Sequence, residues 1–186
     1  MVTLMSLGIP IVLSAVLVFV VSSVVHMVFT YHRNDYRQLP AEDAVRDALR
    51  PFAIPPGDYA VPYAGTAAAM KDPVYNEKLT AGPVFMATFH PSGPFSMGKN
   101  LVQWFLYSVI ISLFAAYLAS RTLPAGAEYL SVFRVTGTVA FAGYALGHMQ
   151  QSIWYARDWG VTARSMFDGL LYALVTAGVF GWRWPA

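Results

Sequence analysis

Cysteine is absent from the chain. Its absence excludes disulfides, thiolate metal ligands and cysteine nucleophiles, and leaves the compartment open. Charge is scarce as well: Asp, Glu, Lys and Arg make up 12% of 186 residues, against about a quarter in a soluble domain. What charge there is nearly cancels, with Lys+Arg 12, Asp+Glu 10 and a net of +2. No basic run with interleaved aromatics occurs, which removes nucleic acid as a partner. Also missing are H-x-x-x-H, H-E-x-x-H, G-x-S-x-G and a glycine-rich phosphate loop. With no nucleophile–base set, metal motif or cofactor loop, the sequence points away from an enzyme.

What the chain does have is apolar length. Hydrophobic residues reach 56%, and the mean hydropathy is +0.48. Four runs approach the roughly 20 residues that carry a helix across a bilayer. They predict an all-α integral membrane protein, a four-helix transmembrane bundle. Its spans are 1–30, 101–120, 129–153 and 166–184, and residues 31–100 form a proline-rich cytoplasmic segment. An apolar run of this length in lipid satisfies its backbone internally only as a helix. The first run has no basic residue before its core and no A-x-A site after it. It reads as a retained anchor rather than a signal peptide, with Pro10 kinking it or marking its early turns.

Basic residues set the expected orientation. Arg33, Arg37, Arg46, Arg50, Lys71, Lys78 and Lys99 follow the first run, and Arg157 and Arg164 join the third to the fourth. The other side has Arg121, Arg134 and Arg183. That bias places both termini outside the cytoplasm, and a bacterial inner membrane is the expected home.

The long segment holds nine of the twelve prolines and nine Phe or Tyr residues. Within it Pro40–Arg50 predicts a short amphipathic helix, with an apolar stripe at Ala44, Val45, Ala48 and Leu49 and an i,i+4 pair, Glu42–Arg46. Pro56-Gly57 and Pro62 mark turns, and Val84–Phe89 is a possible short strand. About seventy residues so rich in proline make a poor core of their own. The segment is expected to cap the helix ends or the membrane surface, or to dock a partner.

Small residues suggest how the spans pack. Gly169, Ala173, Ala177 and Gly181 recur every four residues in the fourth run, and Gly143 and Gly147 form G-x-x-x-G in the third. Such faces allow the close backbone approach that favours association in lipid. They are expected to meet each other within one chain; a subunit contact is the alternative.

Polar residues at membrane depth complete the picture. Arg134 and His148 are fourteen residues apart, about 21 Å along an unbroken α-helix, and there they share a face. Arg134 is expected to snorkel to the outer interface. His26, His148 and Asp168, with Tyr172 and Gln151 nearby, fall in one layer near the inner leaflet. Ionisable groups at that depth pair or meet water, and a negative charge beside a histidine favours its charged form. Three uses compete: a structural latch, a proton or solute path, or a haem b held by His26 and His148 as metal ligands. No cofactor is expected under the leading reading. That reading is a non-enzymatic accessory or scaffold subunit whose partners are the lipid bilayer and other membrane subunits or further copies of itself.

Overall fold

A computed structural model of the chain describes residues 2–94 and 96–186. The chain is mostly helical, with a small two-stranded sheet. It divides into two compact units, Met1–Tyr36 with Ser96–Ala186, and Arg37–Phe95.

Among the described residues the first unit contains four helices long and apolar enough to cross a membrane: Met5–Val28, Gly98–Thr122, Tyr129–Tyr155 and Trp159–Trp182. In the first of these a 3-10 turn, Met5–Leu7, leads into helix α1, Gly8–Val28. Pro10 is the third residue of α1. Its missing N–H would have had no partner in the first turn, so the ring is tolerated there. The second long helix is α4, Gly98–Thr122. The third is broken: α5, Tyr129–Tyr144, passes through a 3-10 turn at Leu146–His148 into α6, Met149–Tyr155. The fourth, α7, runs Trp159–Trp182. It starts seven residues earlier than Met166, the start expected from hydropathy. The Asp158 side chain accepts from the N–H groups of Gly160 and Val161 at 2.9 and 3.2 Å and caps it.

The helices alternate in direction. α1 meets α4 antiparallel: the Ser14 and Ser112 hydroxyls are 2.9 Å apart, and Trp104 Nε1 donates to Ser22 Oγ at 2.8 Å. α4 meets α5 likewise, with the Tyr107 hydroxyl donating to the Gly143 carbonyl at 2.5 Å. α7 packs against α5 and α1, closing the ring. One cluster of the core holds Leu7, Ile11, Ala116, Val132 and Phe180; the other holds Val18, Ile111, Ala140, Tyr144, Tyr172 and Ala173.

The bundle is apolar outside, and its interior mixes these apolar side chains with small and hydroxylic ones. Ser14, Ser112, Thr136 and Thr176 are fully buried, while Ile9, Val12, Val20 and Phe114 face outward. Thr136 and Thr176 donate back to carbonyls four residues earlier. Water would penalise such an exterior and lipid does not, so the arrangement is that of a membrane protein.

The small residues of α7 do meet the third helix, but not at its G-x-x-x-G. A Cβ on Gly169 would lie 2.8 Å from Ala145 Cβ and 3.0 Å from backbone atoms of Ala145 and Tyr144. One on Gly181 would lie 2.7 Å from the Tyr129 ring, and Ala177 Cβ would be 3.0 Å from a Cβ on Gly137. Gly143 instead faces α4, where a Cβ would meet Ile111 Cδ1 at 2.3 Å, and around Gly147 there is open space. The pairing expected between the two small faces is therefore corrected. The 3-10 turn after Ala145 changes the angular step from about 100° to about 120° per residue, so Gly147 leaves the face that Gly143 occupies.

The second unit has two short helices and the hairpin-like sheet. α2 is Glu42–Leu49, and α3 is Pro73–Ala81, whose N-cap Asp72 accepts from Val74 N–H at 2.8 Å with Pro73 in the first helical position. Strand β1, Gly57–Val61, pairs antiparallel with β2, Phe85–Phe89, from Gly57↔Phe89 to Val61↔Phe85. The directly opposed Asp58 and Thr88 are joined by a hydrogen bond from Thr88 Oγ1 at 2.6 Å. In α2, Arg46 pairs with Asp43 at 3.3 Å rather than with Glu42. None of the described residues of 37–94 is buried.

Gly169→Leu is expected to destabilise the bundle by about 1–3 kcal/mol, the usual range for overpacking against groups that cannot move. Gly147→Leu is expected to leave its stability unchanged. Thermal unfolding of both variants in a mild detergent checks the contrast.

Candidate functional site

The chain leaves α1 through two overlapping turns. The N–H of Arg33 donates to the Thr30 carbonyl and that of Asp35 to the His32 carbonyl, each at 3.1 Å. The turns lay the segment beside the first half of α7, which runs the opposite way. Arg164 and Asp168 are one helical turn apart on α7 and so share a face. Tyr31 and His32 reach Asp168, and Asp35 reaches Arg164.

Asp168 is the centre of the cluster. Its side chain is only 6% exposed. The Tyr31 hydroxyl donates to Oδ1, and His32 Nε2 lies 2.8 Å from Oδ2. The other ring nitrogen, His32 Nδ1, is 2.7 Å from Asp35 Oδ2. Asp35 Oδ1 accepts two hydrogen bonds from one guanidinium, from Arg164 Nε at 3.0 Å and Nη2 at 2.7 Å. His32 thus stands between two carboxylates. Each carboxylate can accept from the ring nitrogen it faces.

Electrostatics outside the spans follow from these partners. Burial alone would push the Asp35 carboxyl up, but hydrogen bonds from His32 and Arg164 and their charges outweigh it and hold it below the usual carboxylate range. Tyr31 moves the other way: burial first, then its bond to Asp168 and the two nearby negative charges, raise its hydroxyl well above the ordinary value. Tyr31 therefore stays a donor.

His26, in the last turn of α1, completes the group. Its ring stacks on His32, with centroids 4.8 Å apart and planes 9° from parallel. Its Nδ1 is 3.0 Å from the Ser22 carbonyl one turn back. His26, His32 and Asp168 each offer one ligand-competent atom within 4.8 Å of the others.

Of the five residues expected in this layer, His26 and Asp168 come together. His148, Gln151 and Tyr172 make no hydrogen bond to either among the described residues. His148 lies in the 3-10 turn, half-buried, because helix three does not keep the unbroken α phase that its predicted position assumed. Gln151 is exposed on α6. Tyr172 is buried against Trp104 and Tyr144, and its hydroxyl has no partner among the described residues. Arg134 is exposed on α5, toward the bundle end away from Asp168.

Tyr31, His32, Asp35 and Arg164 are the site residues that hydropathy alone passes over. The hint in the sequence is Y-H-R-N-D directly after an apolar run, where a turn returns His and Asp, three residues apart, to the helix ends.

Asp35→Ala removes the acceptor of both His32 Nδ1 and Arg164. Loss of hydrogen bonds between charged groups of this kind costs about 1.5–3 kcal/mol. Lower thermal stability and faster amide exchange over residues 30–36 are expected. Asp43→Ala, whose partner Arg46 is in solvent, is expected to leave both unchanged.

Compared with protein-family models, with curated proteins and with solved structures, the chain matches none.

Proposed function

We propose that the chain is a four-span integral membrane protein that acts, without catalysis of its own, as an accessory or scaffold subunit of a membrane complex. One observation carries this reading. The unit Arg37–Phe95 is folded into two helices and a sheet, yet none of its described residues is buried. Phe52 is 73% and Tyr63 80% exposed, and Met70, Val84, Phe85 and Met86 are open as well. A unit of that size whose apolar side chains are at best partly covered has little to offset the entropy of ordering it. Contact with another protein supplies what it lacks.

The excess of Lys and Arg in the segment after α1 and in the connection before α7 favours a cytoplasmic position for this unit and an outside position for both termini, as in a bacterial inner membrane. Packing within the four-helix unit agrees in part, since α1, α5 and their antiparallel partners bring residues 31–36 and 156–158 to one end of the bundle.

The two rival uses of the polar layer find less support. A haem held by His26 and His148 needs the two rings to face one iron; His26 instead stacks on His32. A proton path needs polar groups from end to end. The chain from Tyr31 to Arg164 stays at one end, and the buried hydroxyls beyond it, Ser14, Ser112, Thr136 and Thr176, are taken up by one another or by helix carbonyls.

The test is capture of the tagged full chain from membranes of its own host in mild detergent. A stoichiometric membrane-protein partner is expected, lost in a Phe52→Ser, Tyr63→Ser, Phe85→Ser variant whose thermal unfolding is otherwise unchanged. Recovery of the chain alone, or a partner that survives the triple substitution, contradicts the reading.

A further inference from the structure

We propose that His26, His32 and Asp168 bind one divalent transition-metal cation of the zinc type, with Asp35 and Arg164 orienting His32 behind it. The proposal goes beyond the accessory role and does not depend on what covers residues 37–94.

Donor chemistry is the first support. The Ser22 carbonyl 3.0 Å from His26 Nδ1 can only accept, so Nδ1 carries the proton and Nε2 keeps its lone pair. Asp35 Oδ2 acts in the same way on His32 Nδ1, and Arg164 holds that carboxylate in place. Each histidine therefore has its Nδ1 fixed by an acceptor and Nε2 left as the coordinating atom. Carboxylates and carbonyls behind metal-bound histidines play this part, setting both tautomer and ring direction. The third ligand, Asp168, already lies 2.8 Å from His32 Nε2, and a cation takes the place of the proton between them.

Geometry is the second. One ligand atom from each residue lies within 4.8 Å of the others. Bonds of about 2.0–2.2 Å in a tetrahedral site put ligand atoms roughly 3.4 Å apart. Closing the site thus needs a turn of the His26 ring out of its stack on His32, because each lone pair lies in its ring plane and two parallel rings cannot aim at one ion. The exposed His26, tied only to its own helix and stacked on His32, is the residue free to make it.

The third support is a residue that the hydrogen-bonded cluster does not need. Tyr31, His32, Asp35, Arg164 and Asp168 satisfy one another. His26 adds no hydrogen bond to that set, and among the described residues its Nε2 has no partner. A purely structural latch uses this second imidazole for its ring face alone, whereas coordination also uses its Nε2.

Two imidazole nitrogens and one carboxylate, in a chain without thiolates, suit zinc, cobalt or nickel rather than magnesium or calcium, which take oxygen ligands. Three protein ligands leave a further position beside the exposed His26 for water or an outside ligand.

The test uses the full chain in mild detergent, stripped with chelator and desalted, then titrated with Co2+ and followed by its visible absorption. One equivalent per chain is expected to saturate the spectrum. Zn2+ displaces it, and millimolar Mg2+ does not. His26→Ala, His32→Ala and Asp168→Asn are each expected to weaken binding more than tenfold, and Asp35→Asn by about tenfold or more, as for other groups behind a ligand. His26→Ala removes only a stacking contact and a local bond, so it stays folded and decides the matter if Asp168→Asn does not fold. The proposal is overturned if folded wild-type protein takes up neither cation saturably. It is equally overturned if His26→Ala binds Co2+ with the wild-type affinity and spectrum, which would put the cation elsewhere.

Discussion

Asp168 is a carboxylate set into the inward face of an apolar helix, and it has to be satisfied where it stands. Water cannot do this for a side chain 6% exposed, and an unpaired charge in such a place costs several kcal/mol. The chain answers with the residues that follow α1. Tyr31 and His32 turn back onto α7 instead of running on, and Asp35 with Arg164 secures the turn one helical step away. That contact fixes where α1 ends against α7.

The neighbouring position on α7 does the opposite task. Asp168 faces the α1 turn, while Gly169, rotated by about 100°, lies against Ala145 at the break in helix three. Two successive residues, one charged and one without a side chain, thus join α7 to both its neighbours. Away from them the bundle relies on weaker devices. The Ser14–Ser112 contact and the Trp104–Ser22 bond are of a kind worth about 0.6 kcal/mol apiece in a membrane. The polar cluster and the glycine fit therefore define the register that these softer contacts follow.

Much of this architecture is legible in the residues. Four apolar runs give four long helices because hydropathy over about twenty residues is a strong constraint in lipid. Asp168 and His26 stand out for the same reason, as polar groups in apolar company. His148 misleads because equal depth presumes a continuous helix, and no proline warns of the 3-10 turn at Leu146–His148. His32, Asp35 and Arg164 escape notice because they lie just beyond the apolar runs, where charge is ordinary; their partnership is tertiary. α7 begins at Trp159 because a cap at Asp158, not hydropathy, decides its start. In the second unit the helix at Pro73–Ala81 and the strand at Gly57–Val61 both lie outside the expected elements: prolines crowd the segment, and the strand's pairing with Phe85–Phe89 spans a long loop.

The coupling between His32 and Asp168 is the most direct measure of whether this cluster organises the bundle. Stability in detergent of the wild type, His32→Ala, Asp168→Asn and the double variant gives that coupling as a double-mutant cycle. Residues in contact within one network are expected to show about 1–3 kcal/mol of non-additivity. Additive effects, within about 0.5 kcal/mol, would mean that the two side chains do not act on each other and that the turn after α1 is held by something else.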